Sequence, residues 1–139
     1  MPMTHRISAG VLVEQEDRIL LVRYGQHDFW VAPGGGARGT ESLRETARRE
    51  VREETGTEAA VGGLVDVHEV LLHALDGQLA AHYLLAVFWG TWRAGEPAAG
   101  SDAAAARFVG LEQLAAYPLT EEAERLIRRA RELFELGGG

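Results

Sequence analysis

Three consecutive glycines, Gly34, Gly35 and Gly36, stand just ahead of a segment that carries two spacings at once. Leu43, Ala47 and Val51 recur every four residues, which draws one apolar stripe along a helix. Glu50, Glu53 and Glu54 stand at i, i+3 and i+4 and share a different side of that helix. An extended strand satisfies neither spacing. The segment therefore predicts a helix with one face buried and three carboxylates on another. Thr40 is the expected N-cap, Glu41 lies in the first turn, the helix runs to about Glu54, and Gly56 is its natural stop. The glycine run lets backbone come close to a neighbouring group.

Like charges at this spacing repel by a few tenths of a kcal/mol per pair, about what an opposite pair would gain. A hard divalent cation such as Mg²⁺, which takes carboxylates, water and phosphate oxygens, turns that repulsion into attraction. The plain alternative is a solvated helix laced by the i,i+4 pairs Glu45–Arg49 and Arg49–Glu53. A bare Arg-Glu-Val-Arg-Glu-Glu run fits that alternative; the spacing of the whole segment shifts the balance between the two.

Around this helix the chain reads as strands. Residues 5–13 and 18–24 form a hairpin across a polar turn at 14–17, and 29–32 make a short strand ended by Pro33. Residues 61–75 and 79–92 are two further strands joined at Asp76-Gly77. Residues 95–106 are a Gly, Ala and Pro-rich loop, Arg107, Phe108 and Val109 a short strand, and 111–116 a helical turn before Pro118. Thr120 caps a last helix with Ala123, Leu126, Ile127, Ala130, Leu133 and Phe134 on one face, and 137–139 should fray. Strand hairpins interrupted by helices imply an α/β protein with a mixed or antiparallel sheet and helices packed on it.

The 139 residues suit a single domain, 1–139. All 14 basic residues are arginine, and the net charge of −7 argues against a nucleic-acid polymer or an anionic membrane as partner. It does not oppose a small anionic substrate, because a bound metal reverses the local sign. The absence of cysteine excludes disulfides, a thiolate nucleophile and cysteine-ligated zinc. Residues 1–8 lack an apolar signal core and no apolar run of about 18 residues occurs, so a soluble, cytoplasmic protein is expected.

The segment 35–57 reads Gly35, five residues, Glu41, seven residues, Arg49-Glu50-Val51, one residue, Glu53-Glu54, one residue, Gly56. It resembles the box of the Nudix hydrolases, G-x5-E-x7-R-E-U-x-E-E-x-G-U, at all seven fixed positions. The last position departs: Thr57 stands where the pattern has a bulky aliphatic, and a packing effect is expected from it. The opening strands and the run from Arg107 to Leu114, followed by Tyr117-Pro118-Leu119-Thr120, are similar to the family's layout as well.

The resemblance implies a Nudix fold, an α/β/α sandwich around a mixed sheet. It also implies a metal-dependent pyrophosphohydrolase using Mg²⁺ or Mn²⁺. Glu50, Glu53 and Glu54 would ligate the metal with a backbone carbonyl at Gly34 or Gly35, and Gly34 and Glu41 would support that geometry. Glu53 is the first choice for the metal, Glu50 the alternative base, and Arg49 the residue that orients a carboxylate. Asp102 is the candidate for an extra acid outside the box, against a plain loop or cap role. The expected substrate is a nucleoside diphosphate linked to another group, of the ADP-ribose or nucleotide-sugar type. The alternatives are a (d)NTP pyrophosphohydrolase that sanitises nucleotides and, in another class, a non-catalytic nucleotide-binding sensor.

Other residues weigh less. His68, His73 and His82 lie on strands without metal spacing and read as partly buried or surface histidines. Phe29, Trp30 and Tyr83 offer rings for stacking but read first as packing residues. Arg23 and Arg38 offer phosphate contacts but read first as solvated. Many Nudix relatives dimerise, so a homodimer is a further expectation; the apolar strand 84–89 serves either such an interface or the core.

Overall fold

A computed structural model describes residues 4–25 and 27–134. The fraying expected of 137–139 falls outside them, as does the start of the 1–8 segment. The first hairpin joins β1 (Thr4–Gln15) to β2 (Arg18–Tyr24), with Glu14 opposite Ile19 and Gln15 opposite Arg18. The turn is thus shorter than the polar run suggested, because Glu14 and Gln15 continue the ladder. β3 (Trp30–Val31) pairs with β2, and β4 (Gly34–Gly36) pairs antiparallel with β1.

After the helix α1 (Leu43–Thr55) come β5 (Glu58–His73) and β6 (Leu79–Ala94), joined by the expected Asp76-Gly77 turn, where Asp76 Oδ1 accepts from the Gln78 N–H. β6 returns parallel to β1, from Thr4 opposite Ala81 to Glu14 opposite Thr91. β7 (Ala103–Gly110) runs antiparallel to β2, a 3₁₀ turn spans Leu111–Ala116, and α2 (Glu121–Phe134) closes the chain. The main strand order is β3-β2-β1-β6-β5, with β4 and β7 attached to β1 and β2, so the sheet is mixed as expected.

Side-chain alternation divides the apolar residues between two faces. Ala9, Val11 and Val13 of β1, Leu20 of β2, and Ala86 and Phe88 of β6 face α1, where Ala47 and Val51 meet them. Leu12, Ile19, Leu21 and Val87 face the other way, toward Leu126, Ile127 and Ala130 of α2. Each fully buried aliphatic side chain contributes roughly 1.5–3 kcal/mol, so both helices are held chiefly by these two layers. The result is an α/β/α sandwich. The segment 84–89 lies in β6 between two partner strands, and Ala86, Val87 and Phe88 enter the two layers, so its apolar character serves the core.

Three details differ from the sequence reading. α1 is capped by Ser42 and not Thr40: Ser42 Oγ accepts from the Glu45 N–H and Glu45 accepts from the Ser42 N–H, a reciprocal capping box. β7 begins at Ala103 and not Arg107, because pairing with β2 recruits alanines that carry no pattern of their own. Leu133 is 43% exposed, while its neighbour Phe134 stacks on Trp89 at 5.2 Å. The Thr120 cap of α2 is present, its Oγ1 accepting from the Ala123 N–H at 3.0 Å.

Candidate active site

β4 is the meeting place of strand and helix. Gly34 packs so closely on β1 that an added Cβ would lie 2.7 Å from both the Ala9 carbonyl oxygen and the Gly10 Cα. At Gly35 a Cβ would fall 2.5 Å from the Glu50 carboxyl carbon. The glycine run therefore lets backbone meet backbone on one side and a carboxylate on the other. α1 is held at its far end by the αL residue Gly56, whose N–H reaches Arg52 O. The loop before β7 completes that end: Ala98 and Gly100 donate to the carbonyls of Thr55 and Glu54.

Arg49 ties the box together. Its Nε and Nη2 grip both oxygens of Glu41, at 2.7 and 3.0 Å. Nη1 reaches Glu50 at 2.8 Å and Glu53 at 3.2 Å, and Nη2 also donates to Gly36 O at 2.8 Å. Its five N–H donors are thereby matched to five acceptors. Glu41, which also accepts from the Arg38 N–H and the Thr46 hydroxyl, has its carboxyl lowered to about 2, chiefly by Arg49. Arg38 adds a contact to Glu53 at 3.3 Å.

Glu54 is different. It is 1% exposed and forms none of the ion pairs found among the described residues. Its Oε1 accepts from the Gly34 N–H at 2.9 Å, and the Tyr24 hydroxyl, 3.3 Å from Gly34 O, lies beside it. Burial raises its carboxyl to about 8 despite those hydrogen bonds, and the charges of Glu50 and Asp102 add to the rise. The same burial, with the Glu54 charge, pushes the Tyr24 hydroxyl well up.

All four acids therefore bear on one region, but in distinct states. Glu50 and Glu53 lean on Arg49, Glu54 on Gly34, and Asp102 is an exposed loop residue whose charge reaches Glu54 and Tyr24. Among the described residues no three His, Asp or Glu side chains are yet drawn around one point. The donor chemistry nonetheless fits a hard cation: oxygen ligands, surplus negative charge, and a buried carboxyl with no cation beside it.

A largely apolar cavity of about 480 Å³ opens against Gly34 and Gly35, walled by Tyr24, Val31, Leu85, Val87 and Leu126, with His68 and Glu122 at its rim. A second, polar cleft of about 390 Å³ lies along Gly36 and Glu50, with His5, Arg6 and Arg38. Tyr24, Glu122, His5 and Arg6 escaped the sequence reading, since only tertiary packing joins them to the box. The aromatic candidates are elsewhere: Trp30 is buried edge-on to Tyr117, Phe29 is half exposed, and neither these nor Tyr83 line the apolar cavity. His82 pairs with Glu69 at 2.6 Å, His73 is exposed, and Arg23 donates to His27 O at 3.4 Å. Thr57 is fully buried and shares a 2.8 Å hydrogen bond with the Thr55 hydroxyl, so this departure from an aliphatic is accommodated by packing.

A model of the NUDIX domain matches residues 4–130. Over 57 residues the chain is 42% identical to diphosphoinositol polyphosphate phosphohydrolase 2 of Rattus norvegicus, covering 40% of this chain and 32% of that protein. The aligned stretch spans about a third of the length of the curated relatives it matches. A NUDIX hydrolase from Nitrosomonas europaea superposes with a TM-score of 0.74 at 22% identity, over 93% of this chain and 90% of that one. A UDP-X diphosphatase superposes with a TM-score of 0.72 at 25% identity, over 95% of this chain and 65% of that one.

Proposed function

We propose, for a chain that belongs to the NUDIX family, that it is a metal-dependent pyrophosphohydrolase cleaving the diphosphate bond of a nucleoside diphosphate linked to another moiety. The observation that carries the reading is the concentration of Glu50, Glu53 and buried Glu54 against a glycine strand that leaves the Glu50 carboxyl in contact with backbone. The likeness to a UDP-X diphosphatase and the apolar cavity beside Gly34 and Gly35 support a substrate with an uncharged moiety on one side of its diphosphate.

Glu50, Glu53 and Glu54, with the Gly35 carbonyl, would hold Mg²⁺ or Mn²⁺. Bound there, the ion would neutralise the diphosphate and lower the pKa of an attacking water. The chain's own residues supply the rest. Arg49 fixes Glu50 and Glu53 relative to Gly36, so that neither carboxylate is free to wander. Glu41 holds Arg49 in that pose. Glu50 accepts a proton at a carboxylate oxygen, and Glu53 contributes its charge to the cation. Arg6 and Arg38 line the polar cleft, where they would bind phosphate oxygens.

The test is product release from a panel of ADP-ribose, nucleotide sugars, dinucleoside polyphosphates, dNTPs and oxidised dGTP with Mg²⁺, coupled to a phosphatase where monoesters form. Glu53→Gln, which removes a charge and little volume, should cut turnover about 10²-fold or more without changing the circular dichroism spectrum. A variant that remains folded and fully active would contradict the assignment. Selective cleavage of dNTPs would transfer the reading to the nucleotide-sanitising alternative.

A further inference from the structure

At the rim of the apolar cavity the structure builds a chain of charges that the hydrolytic reading leaves unused. Asp66 on β5 accepts from Arg125 Nη1 at 2.6 Å. Arg125 grips both oxygens of Glu122 on the first turn of α2, through Nε at 3.1 Å and through Nη2. Glu122 Oε1 in turn lies 3.3 Å from His68 Nδ1. His68 and Glu122 both line the cavity, and Arg125 and Asp66 are not part of its lining. In the neutral form of the ring, a carboxylate facing Nδ1 favours the tautomer protonated there, which leaves Nε2 as a lone-pair acceptor.

The geometry points to His68 as a specificity-determining residue. We propose that its Nε2 accepts a hydrogen bond from the exocyclic amine of an uncharged nucleobase, adenine in the first instance, held between Leu85 and Leu126. Glu122 and Arg125 are positioning residues that fix the imidazole. The cavity lies within the range of small-molecule sites and its walls suit a flat apolar face. This rests on the hydrolase reading for the placement of the diphosphate, but recognition of the ring is separable from cleavage.

The experiment is therefore binding first, in excess EDTA, with AMP, IMP and ribose 5-phosphate as probes, followed by calorimetry or saturation-transfer NMR. The wild type should bind AMP about 10-fold more tightly than IMP, the scale of one hydrogen bond that is made or left unmade, and ribose 5-phosphate more weakly still. His68→Ala should bring the AMP to IMP ratio near one, and Glu122→Gln should lower it while the fold is kept. In turnover, adenine and hypoxanthine forms of the same linked diphosphate should differ in KM and little in kcat, and His68→Ala should erase that difference. Equal affinity for AMP and IMP, no AMP binding at millimolar concentration, or a ratio unchanged by both variants overturns the proposal even if hydrolysis is found. An AMP preference lost in His68→Ala, without cleavage of any diphosphate, keeps the ring site and removes the hydrolase reading.

Discussion

Glu54 shows how a residue's surroundings change its chemistry. Three glutamates are equivalent in a helical projection, yet only Glu54 is fully buried without a cation, because β4 and Tyr24 close over it. Its carboxyl is raised from 4.5 to about 8, so the folded, metal-free protein binds a proton that the unfolded chain has already released. The stabilising share is complete below about pH 4.5 and is lost as pH rises through about 8. In EDTA, the urea midpoint of the wild type should therefore fall relative to Glu54→Gln between pH 5 and 8; a constant difference between the two would contradict this. Gly35 gives a second prediction at this scale. Gly35→Ala places a methyl 2.5 Å from the Glu50 carboxyl carbon, so turnover should fall at least tenfold while the melting temperature changes little. Normal turnover would show that Glu50 has room to move without consequence. The spacing of the glutamates was legible in the sequence; their unequal burial was not, because Tyr24 and Gly34 reach Glu54 from other strands.

The elements were legible where their own residues decide them. Leu43, Ala47 and Val51 announced the buried side of α1, and Gly56 its end. Where a partner decides, the sequence was silent. Ser42 caps the helix through Glu45, while Glu41 is drawn to Arg49, so Thr40 has no capping role. β7 starts at Ala103 because β2 offers a ladder, although a run of alanines has no alternation to read. Arg49 is the hinge pin between helix and glycine strand, and lysine cannot replace it: an ammonium has three donors where five are used. Arg49→Lys should cost about 2 kcal/mol in chemical denaturation and lower turnover, since Glu50 and Glu53 lose a fixed partner. Stability and rate both equal to wild type would mean that these contacts position nothing.

At the scale of the molecule, the two helices cover opposite faces of one mixed sheet, and the split of β1 between β4 and β2 brings the glycine strand to the carboxylate helix. The fold class was readable from hairpin signals interrupted by helices, and the box pointed to the family that the domain match then showed. The cavity and its rim were not readable, since β1, β3, β5, β6 and α2 each contribute part of the wall. A chain of net charge −7 with Glu50, Glu53 and Glu54 on one helix attracts an anionic substrate to that place only if the charge is reversed locally. The most direct measurement is the initial rate of diphosphate cleavage by the wild type in excess EDTA, and again after Mg²⁺ is restored. The account predicts no cleavage in EDTA and full recovery with Mg²⁺. Full activity in EDTA would contradict it.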